Sequence, residues 1–367
     1  MDEAALYHLA LLKVPAVGHS TLKTLISYCG SAEAVFKTPV GKLLRIPGVG
    51  ETIARGIHQT DPHQAAQEEF SKAEKAEVSI LTHTAKEYPS RLKQIVDAPA
   101  LLYVKGHPPL SAPKSIGIVG TRKATDYGRQ ITQRIVQELV PYQPLIVSGL
   151  AYGIDIEAHR AALQAGLPTV GVMASGIDLV YPAAHKNSAQ RMVESGGGLV
   201  TEYPFGSKPD APKFPARNRI IAGMVDALVV VEAAESGGAL ITAYLAQEYD
   251  RDIFAVPGNL NQPFSVGCLQ LIRKQVAQVF TSVAELAEAL HWTAGEEPAA
   301  VPLDISQFST PAQQLLKHLQ EQPEGVLLDE LSWKSQIPVN QVLSLLLELE
   351  FQGVVKPLPG KRYRMEG

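Results

Sequence analysis

Six short, nearly continuous apolar runs recur between residues 115 and 258, and they restrict the fold more severely than any other feature of the chain. They are "SIGIVG" (115–120), "LIVSG" (145–149), "TVGVMA" (169–174), "GLVTEY" (198–203), "ALVVVEA" (227–233) and "DIFAVPG" (252–258). A strand with one wet face alternates apolar and polar side chains; these runs do not, so both of their faces must be covered. Segments of helical character separate them at 126–140, 154–165, 184–195, 216–224, 239–250 and 268–279. Such alternation predicts an open, doubly wound α/β fold with a mostly parallel sheet.

The flanks have a different texture. Residues 69–110 form a connector with two more strand-like runs, "AEVSILTH" and "ALLYVKG". Ahead of it, "LKVPAVGHSTLK" at 12–23 is echoed by "LRIPGVGETIAR" at 44–55, an offset of 32 residues. Each copy is an apolar approach, a Pro, a tight turn ending in Gly and a polar residue opening a helix, the pattern of a helix-hairpin-helix. Gly48 and Gly50 provide the turn in the second copy, while Ala16 replaces the leading Gly in the first. Backbone N–H groups of such a turn can hold a phosphate. The same hairpins could equally be structural and pack on the neighbouring domain.

At the other end, Pro, Gly and acidic residues over 292–308 have no period and predict a linker. Thr310 is placed as an N-cap with Pro311 behind it, further helical segments follow, and Gly353 is placed as a helix stop before "VVKPLPGKRYRM". Three helices and a hairpin predict a winged helix over 309–367. Residues 306–367 carry 6 basic and 7 acidic side chains, so a protein-docking or dimer-supporting role is expected there rather than DNA reading. The expected domains are therefore 1–68 (helical, helix-hairpin-helix or SAM-like), 69–291 (α/β), 292–308 (linker) and 309–367 (winged helix).

Lys and Arg number 33 against 37 Asp and Glu, a formal net charge of −4, so any nucleic-acid site must be local rather than a broad basic surface. Cys29 and Cys268 make neither a disulfide framework nor a Cys-x-x-Cys metal spacing. No apolar run approaches the ~18 residues of a membrane span. The opening Met1-Asp2-Glu3 lacks the base of a signal peptide. These features predict a cytoplasmic protein without metal, cofactor or membrane partner.

Open α/β sheets bind ligands at the carboxyl ends of their strands, and four motifs fall there. The first strand ends in "GIVGTRK", with Gly120 allowing backbone approach and Arg122 offering a planar fork for phosphate. Its glycines at 117, 120 and 128 do not match a dinucleotide fingerprint. The second strand ends in Ser148 and Gly149; Ser148 is either a phosphate contact or a turn cap, and the following Asp155 and His159 are expected to cap and pack. "KFPARNR" then brings Lys213, Phe214, Arg217, Asn218 and Arg219 together, just after Lys208. An aromatic ring beside guanidinium groups suits stacked bases and phosphates. Alternatively Phe214 plugs the core and one arginine pairs with Glu202 or Glu232; one of the two arginines is expected to be structural. Finally, Ser236-Gly237-Gly238 opens a helix with free backbone N–H groups, a second wall for an anion pocket.

Taken in order, "GIVGTR", "SGLAYGID", "GIDLVYP", "TEYPFG", "FPARNRIIAG", "VEAAESGGALITA" and "FAVPGN" resemble the DprA/Smf family of DNA-processing proteins of natural transformation. The likeness covers about 95–291 and extends to both flanking domains. It implies an extended Rossmann fold that binds single-stranded DNA, protects incoming DNA, dimerises and loads the RecA recombinase. It puts DNA contacts at Arg122, Ser148, Gly149, Phe214, Arg217, Asn218, Arg219, Ser236, Gly237 and Gly238, to which the reading of the motifs adds Gly120 and Lys213. It puts the homodimer interface at Leu271 and Ile272, and implies no catalytic residue. Three departures stand out: Gly267-Cys268-Leu269 replaces Gly-Cys-Asn, Gln275-Val276 replaces Gly-Ala, and Ala174 replaces a common Gly. The alternative function is a Rossmann-like nucleoside-monophosphate hydrolase. That enzyme needs a catalytic Glu inside the Gly-Gly motif, whereas here Glu235 precedes Ser236 and no carboxylate stands in the next helical turn.

Overall fold

The computed structural model describes residues 3–295, 308–320, 322, 325–351, 354–358 and 360–365. Residues up to 296 form one compact unit and 297–367 a second. The first unit opens with helices α1 (Glu3–Lys13), α2 (His19–Cys29), α3 (Ala32–Lys37), α4 (Val40–Leu43), α5 (Glu51–Gln59) and α6 (Pro62–Lys75). Strand β1 (Val78–Thr82), the short helix α7 (Ser90–Lys93) and strand β2 (Leu101–Gly106) follow.

The predicted alternation then unfolds as β3 (Ser115–Val119), α8 (Asp126–Leu139), β4 (Leu145–Ser148), α9 (Ile154–Ala165), β5 (Thr169–Val172), α10 (Lys186–Glu194) and β6 (Gly198–Thr201). After it come α11 (Lys213–Gly223), β7 (Ala227–Val230), α12 (Gly238–Glu248), β8 (Asp252–Ala255), α13 (Val266–Arg273), β9 (Gln278–Val279) and α14 (Val283–Ala289). All nine strands make one sheet in the order β1-β2-β6-β5-β4-β3-β7-β8-β9. From β6 to β9 the pairing is parallel, and β2 and β1 close the other edge antiparallel.

The continuous apolar runs are explained by burial on both faces. Alternate residues go to opposite cores: Ile116 and Ile118 of β3 pack with Val136, Leu139 and Ala158 on one side. Val147, Val170, Val200 and Leu228 pack with Ile220 and Ala243 on the other.

Two expectations near the end of this unit need correction. The helix expected over 268–279 stops at Arg273. Gln275 takes a φ of +58°, and the N–H groups of Val276 and Ala277 turn back to the Leu271 carbonyl at 3.0 and 3.3 Å. The chain then re-enters the sheet as β9. Leu271, expected at a dimer interface, is 0% exposed and belongs to the core beside Ala255 and Cys268, while Ile272 is only half-buried. A side chain already consumed by the protomer's own core cannot face a partner.

The echo in the helical region is structural. Ala16 adopts φ +64° where its counterpart Gly48 adopts +81°. Gly18 and Gly50 are both extended N-caps, of α2 and α5 respectively. The first hairpin is committed inward: His19 accepts the Ala100 N–H through Nδ1 at 3.2 Å and directs Nε2 to Glu202 at 3.2 Å. α1 and α6 pack on each other and on β1, so the helical region shares the sheet's core.

The second unit contains α15 (Thr310–Gln320), β10 (Val326–Leu327), α16 (Leu328–Ser335), α17 (Val339–Phe351), β11 (Val355–Leu358) and β12 (Arg362–Met365). The three strands pair antiparallel in the order β10-β12-β11 around a core that includes Leu315, Leu331 and Leu346. This is a winged helix. Gly353 and residues 296–307 of the expected linker lie outside the described residues.

Candidate nucleic-acid interface

β3 sits where the strand order reverses, with β4 on one side and β7 on the other. The loops leaving these strands diverge and open a crevice at their carboxyl ends. With α11 as a further wall, they enclose a cavity of about 740 Å³. Glycine is needed where the walls touch: a Cβ on Gly120 would lie 2.5 Å from Ile154 Cγ1 and 2.9 Å from the Glu232 carbonyl oxygen. That carbonyl accepts the Thr121 N–H at 2.7 Å. The Glu232 carboxylate accepts the Thr125 N–H at 3.0 Å and its hydroxyl at 2.5 Å. Glu232 therefore anchors the Arg122 loop and pairs with neither arginine of α11.

Both of those arginines are braces, where only one was expected to be. Arg217 is 4% exposed, its Nη1 donates to the carbonyls of Gly149 and Val172, and its Nε donates to Asn218 Oδ1 at 3.1 Å. Burial pulls this guanidinium down to about 10, so it stays protonated at neutral pH. The buried carboxyl of Asp155 is pushed up by burial, and the charge of Arg217 opposes that shift. Arg217 still lines the cavity floor. Arg219 points elsewhere: it pairs with the Glu202 carboxylate and lies 3.8 Å from Asp97. His19 shares that carboxylate as a neutral imidazole, because burial and the nearby Arg219 pull it down to about 4; its contact with Glu202 is a hydrogen bond, not an ion pair. Burial pushes the Glu202 carboxyl up, against the pull of Arg219.

Ser148 is also structural. It is fully buried and its hydroxyl donates to the Ile118 carbonyl at 2.6 Å, tying β4 to β3. Gly149 stands behind Arg217, where a Cβ would meet the guanidinium at 2.6 Å. Lys213 lies outside the cavity, donating to the Lys208 carbonyl at 2.7 Å with its Nζ 5.2 Å from the Tyr203 ring. His159 is packed, fully buried and hydrogen-bonded to Thr169 Oγ1 at 2.7 Å.

The groups left free for a ligand sit at the mouth. Arg122 is exposed and has no ion pair or hydrogen bond among the described residues; its guanidinium lies 5.0 Å from the centroid of Phe214. Phe214 is half-buried in the cavity wall rather than in the core, 5.9 Å from the Tyr181 ring. Opposite them Ser236, Gly237 and Gly238 are exposed, with Gly237 at φ +148° capping the start of α12. Asn218 donates to the Gly238 carbonyl at 3.2 Å and fixes this turn to α11.

Thus Gly120, Arg122, Phe214, Arg217, Asn218 and Ser236–Gly238 meet around one cavity, whereas Ser148, Lys213 and Arg219 do not line it. Tyr181, 49% exposed and lining the same cavity, was not singled out from the sequence. Its signal lay in "GIDLVYP", far from the other motifs in the chain.

Comparison with known proteins agrees with this geometry. Residues 79–291 match the family described as DNA recombination-mediator protein A, and 296–361 match the DprA winged helix domain. Protein Smf of Synechocystis is 33% identical over 98% of both chains. The DNA processing protein DprA of Bacillus subtilis is 41% identical over 58% of this chain and 71% of its own. The crystal structure of DprA from Streptococcus pneumoniae superposes with a TM-score of 0.68 and 31% identity, over 78% of this chain and 98% of that one. A solved structure of DNA processing protein A from Helicobacter pylori, described for its single-stranded DNA binding mode, superposes with a TM-score of 0.53 and 29% identity, over 59% of this chain and 97% of that one. With a family match spanning the sheet and a relative aligned end to end, the chain belongs to the DprA family of DNA recombination-mediator proteins.

Proposed function

We propose that this protein binds single-stranded DNA in the cavity at the β3–β7 crevice, protects incoming strands and loads the RecA recombinase on them. One observation carries the DNA reading: an exposed arginine, Arg122, with no ion pair or hydrogen bond among the described residues, lies over the half-buried Phe214 ring in a cavity that a glycine turn at a helix start also lines. The planar cation suits phosphate, the ring suits a base, and the turn offers N–H groups to a second anion. The Helicobacter relative, described for its single-stranded DNA binding mode, supports the same assignment. Glu235, the carboxylate beside the Ser236–Gly238 turn, is exposed and absent from the cavity lining, so the hydrolase is disfavoured.

The division into 1–68, 69–291, 292–308 and 309–367 is retained as a functional proposal, with DNA bound by the second segment. A homodimer remains part of it. Leu271 being buried, the proposed contact moves to exposed Ile241 and Val266 and half-buried Ile272 on α12 and α13. Among the described residues no helix is long and apolar enough to cross a membrane; a cytoplasmic site is proposed, as is activity without cofactor.

Fluorescence anisotropy with labelled single-stranded and duplex oligonucleotides tests the core of this reading. Single strands should bind more tightly, and Arg122→Ala should lose affinity. Equal binding by Arg122→Ala at every salt concentration overturns it. Faster RecA filament growth on strands pre-coated with single-strand-binding protein tests the loading role.

A further inference from the structure

The loop after β4 presents an exposed tyrosine from a backbone held on three consecutive residues. Arg217 donates to the Gly149 carbonyl, His185 Nδ1 donates to the Leu150 carbonyl at 2.7 Å, and the Asp155 carboxylate accepts the Ala151 N–H at 3.4 Å. All three clamping side chains are at least nine-tenths buried. They hold Leu150 at φ +59°, a left-handed conformation that a residue with a Cβ keeps only where the surroundings impose it. Gly153, at φ +78°, then presses the loop on Arg122's own loop: Ile154 N–H donates to the Thr121 carbonyl, and any Cβ on Gly153 would collide with that oxygen.

The residue between these clamps is Tyr152. Its side chain is 49% exposed, its ring leans on the buried His185 ring at 4.8 Å, and its hydroxyl has no partner among the described residues. A smaller hollow lies beside Tyr152, and Arg122, Phe214 and Tyr181 line both it and the main cavity. These three side chains form a partition rather than an end wall, and a chain ligand can continue across it.

We infer that the single-strand site is a track longer than the cavity, running from the Ser236–Gly238 turn over the Arg122–Phe214–Tyr181 partition to Tyr152, which stacks an outlying base. This rests on the DNA reading above and adds a binding residue and a direction to it. Ring faces stack any base, so the outer position adds affinity without sequence preference.

The test is anisotropy with oligo-thymidylates of increasing length on the full chain, comparing parent, Tyr152→Ala, Tyr152→Trp and Arg122→Ala. Tyr152→Ala should bind long oligomers about tenfold more weakly and the shortest binding oligomers like the parent. Tyr152→Trp should retain parental affinity, with its fluorescence quenched by the strand. Replacing the outlying thymidines by abasic sites should erase the difference between parent and Tyr152→Ala. If Tyr152→Ala matches the parent at every length while Arg122→Ala is weakened, the track is wrong and the cavity reading stands. An equal loss at all lengths, or no recovery with Trp, also overturns the outer stacking role. If Arg122→Ala binds like the parent, the cavity reading itself has failed.

Discussion

The guanidinium of Arg122 lies 5.0 Å above the ring of Phe214, although one comes from the loop after β3 and the other from the start of α11. Charge and ring contribute separately, so substitutions can separate them. Arg122→Ala should reduce the salt slope of single-strand binding by about 0.7, the contribution of one neutralised phosphate. Arg122→Lys should keep that slope and still lose affinity, because an ammonium lacks the planar fork. Phe214→Leu should weaken binding by about 1–3 kcal/mol without changing the slope. Titrations at several salt concentrations measure all three; a slope change in Phe214→Leu contradicts the division of labour.

Arg217 should behave in the opposite way. Removing its side chain leaves the Gly149 and Val172 carbonyls without their donor and the buried Asp155 carboxyl without its counter-charge. A buried polar group left without its partner costs about 1–3 kcal/mol. Arg217→Ala should therefore lower the denaturation midpoint markedly, whereas Arg122→Ala should leave it unchanged. Urea unfolding of the two variants decides the matter: equal stability of parent and Arg217→Ala is incompatible with a bracing role.

The difference between these arginines marks the limit of what the sequence discloses. Strand runs were legible because burial on both faces leaves no polar residue to break the pattern. "FPARNR" was legible as a basic-aromatic cluster, but helical rotation sends Arg217 beneath the cavity and Arg219 to Glu202, a partition fixed only by tertiary packing. Ser148 looked like a ligand contact because Ser at a strand end is one of several outcomes; its hydroxyl instead bonds across to β3. The end of α13 was missed because "VAQV" continues an apolar pattern, and only the positive φ of Gln275 turns the chain back to the sheet.

Three buried or half-buried histidines make folding pH-dependent. Burial pulls His19 and His83 down to about 4 and His159 down to about 3. Their folded values lie below the unfolded value of about 6.5, so the unfolded chain binds more protons in that interval. The stability they contribute is fully present above pH 6.5 and is lost as pH falls towards 4. Urea midpoints should fall across this window, and His159→Gln combined with His19→Gln should flatten the slope. An unchanged slope in the double variant shows that other groups carry the dependence.

The paired hairpins offer an internal control for backbone strain. Ala16 and Gly48 occupy equivalent turn positions at φ +64° and +81°. A left-handed conformation costs a residue with Cβ roughly 1–2 kcal/mol, and an added glycine gives back about 0.4–1 kcal/mol through unfolded-state entropy. Ala16→Gly should therefore stabilise by about 0.5–1 kcal/mol, and Gly48→Ala should destabilise by a similar amount. Thermal melts of the two single variants test this, and a destabilised Ala16→Gly shows that the first turn gains more from its methyl group than it loses to strain.

The winged helix should be dispensable for gripping single strands. Its α17, placed third among the helices as a recognition helix would be, exposes Val339, Leu343 and Leu347 at i, i+4 and i+8, and its sequence contains neither Lys nor Arg. A recognition helix without cations gains nothing from counterion release, the main source of non-specific affinity. Each unit has a hydrophobic core of its own, so the first keeps its full core set when the second is removed. A chain ending at residue 296 should keep the parental affinity for single strands within about twofold and the parental salt slope. A drop in slope on truncation places phosphate contacts in the winged helix after all. In that event Lys356, Lys361, Arg362 and Arg364 of the β11–β12 hairpin, the wing, are the cations to replace next.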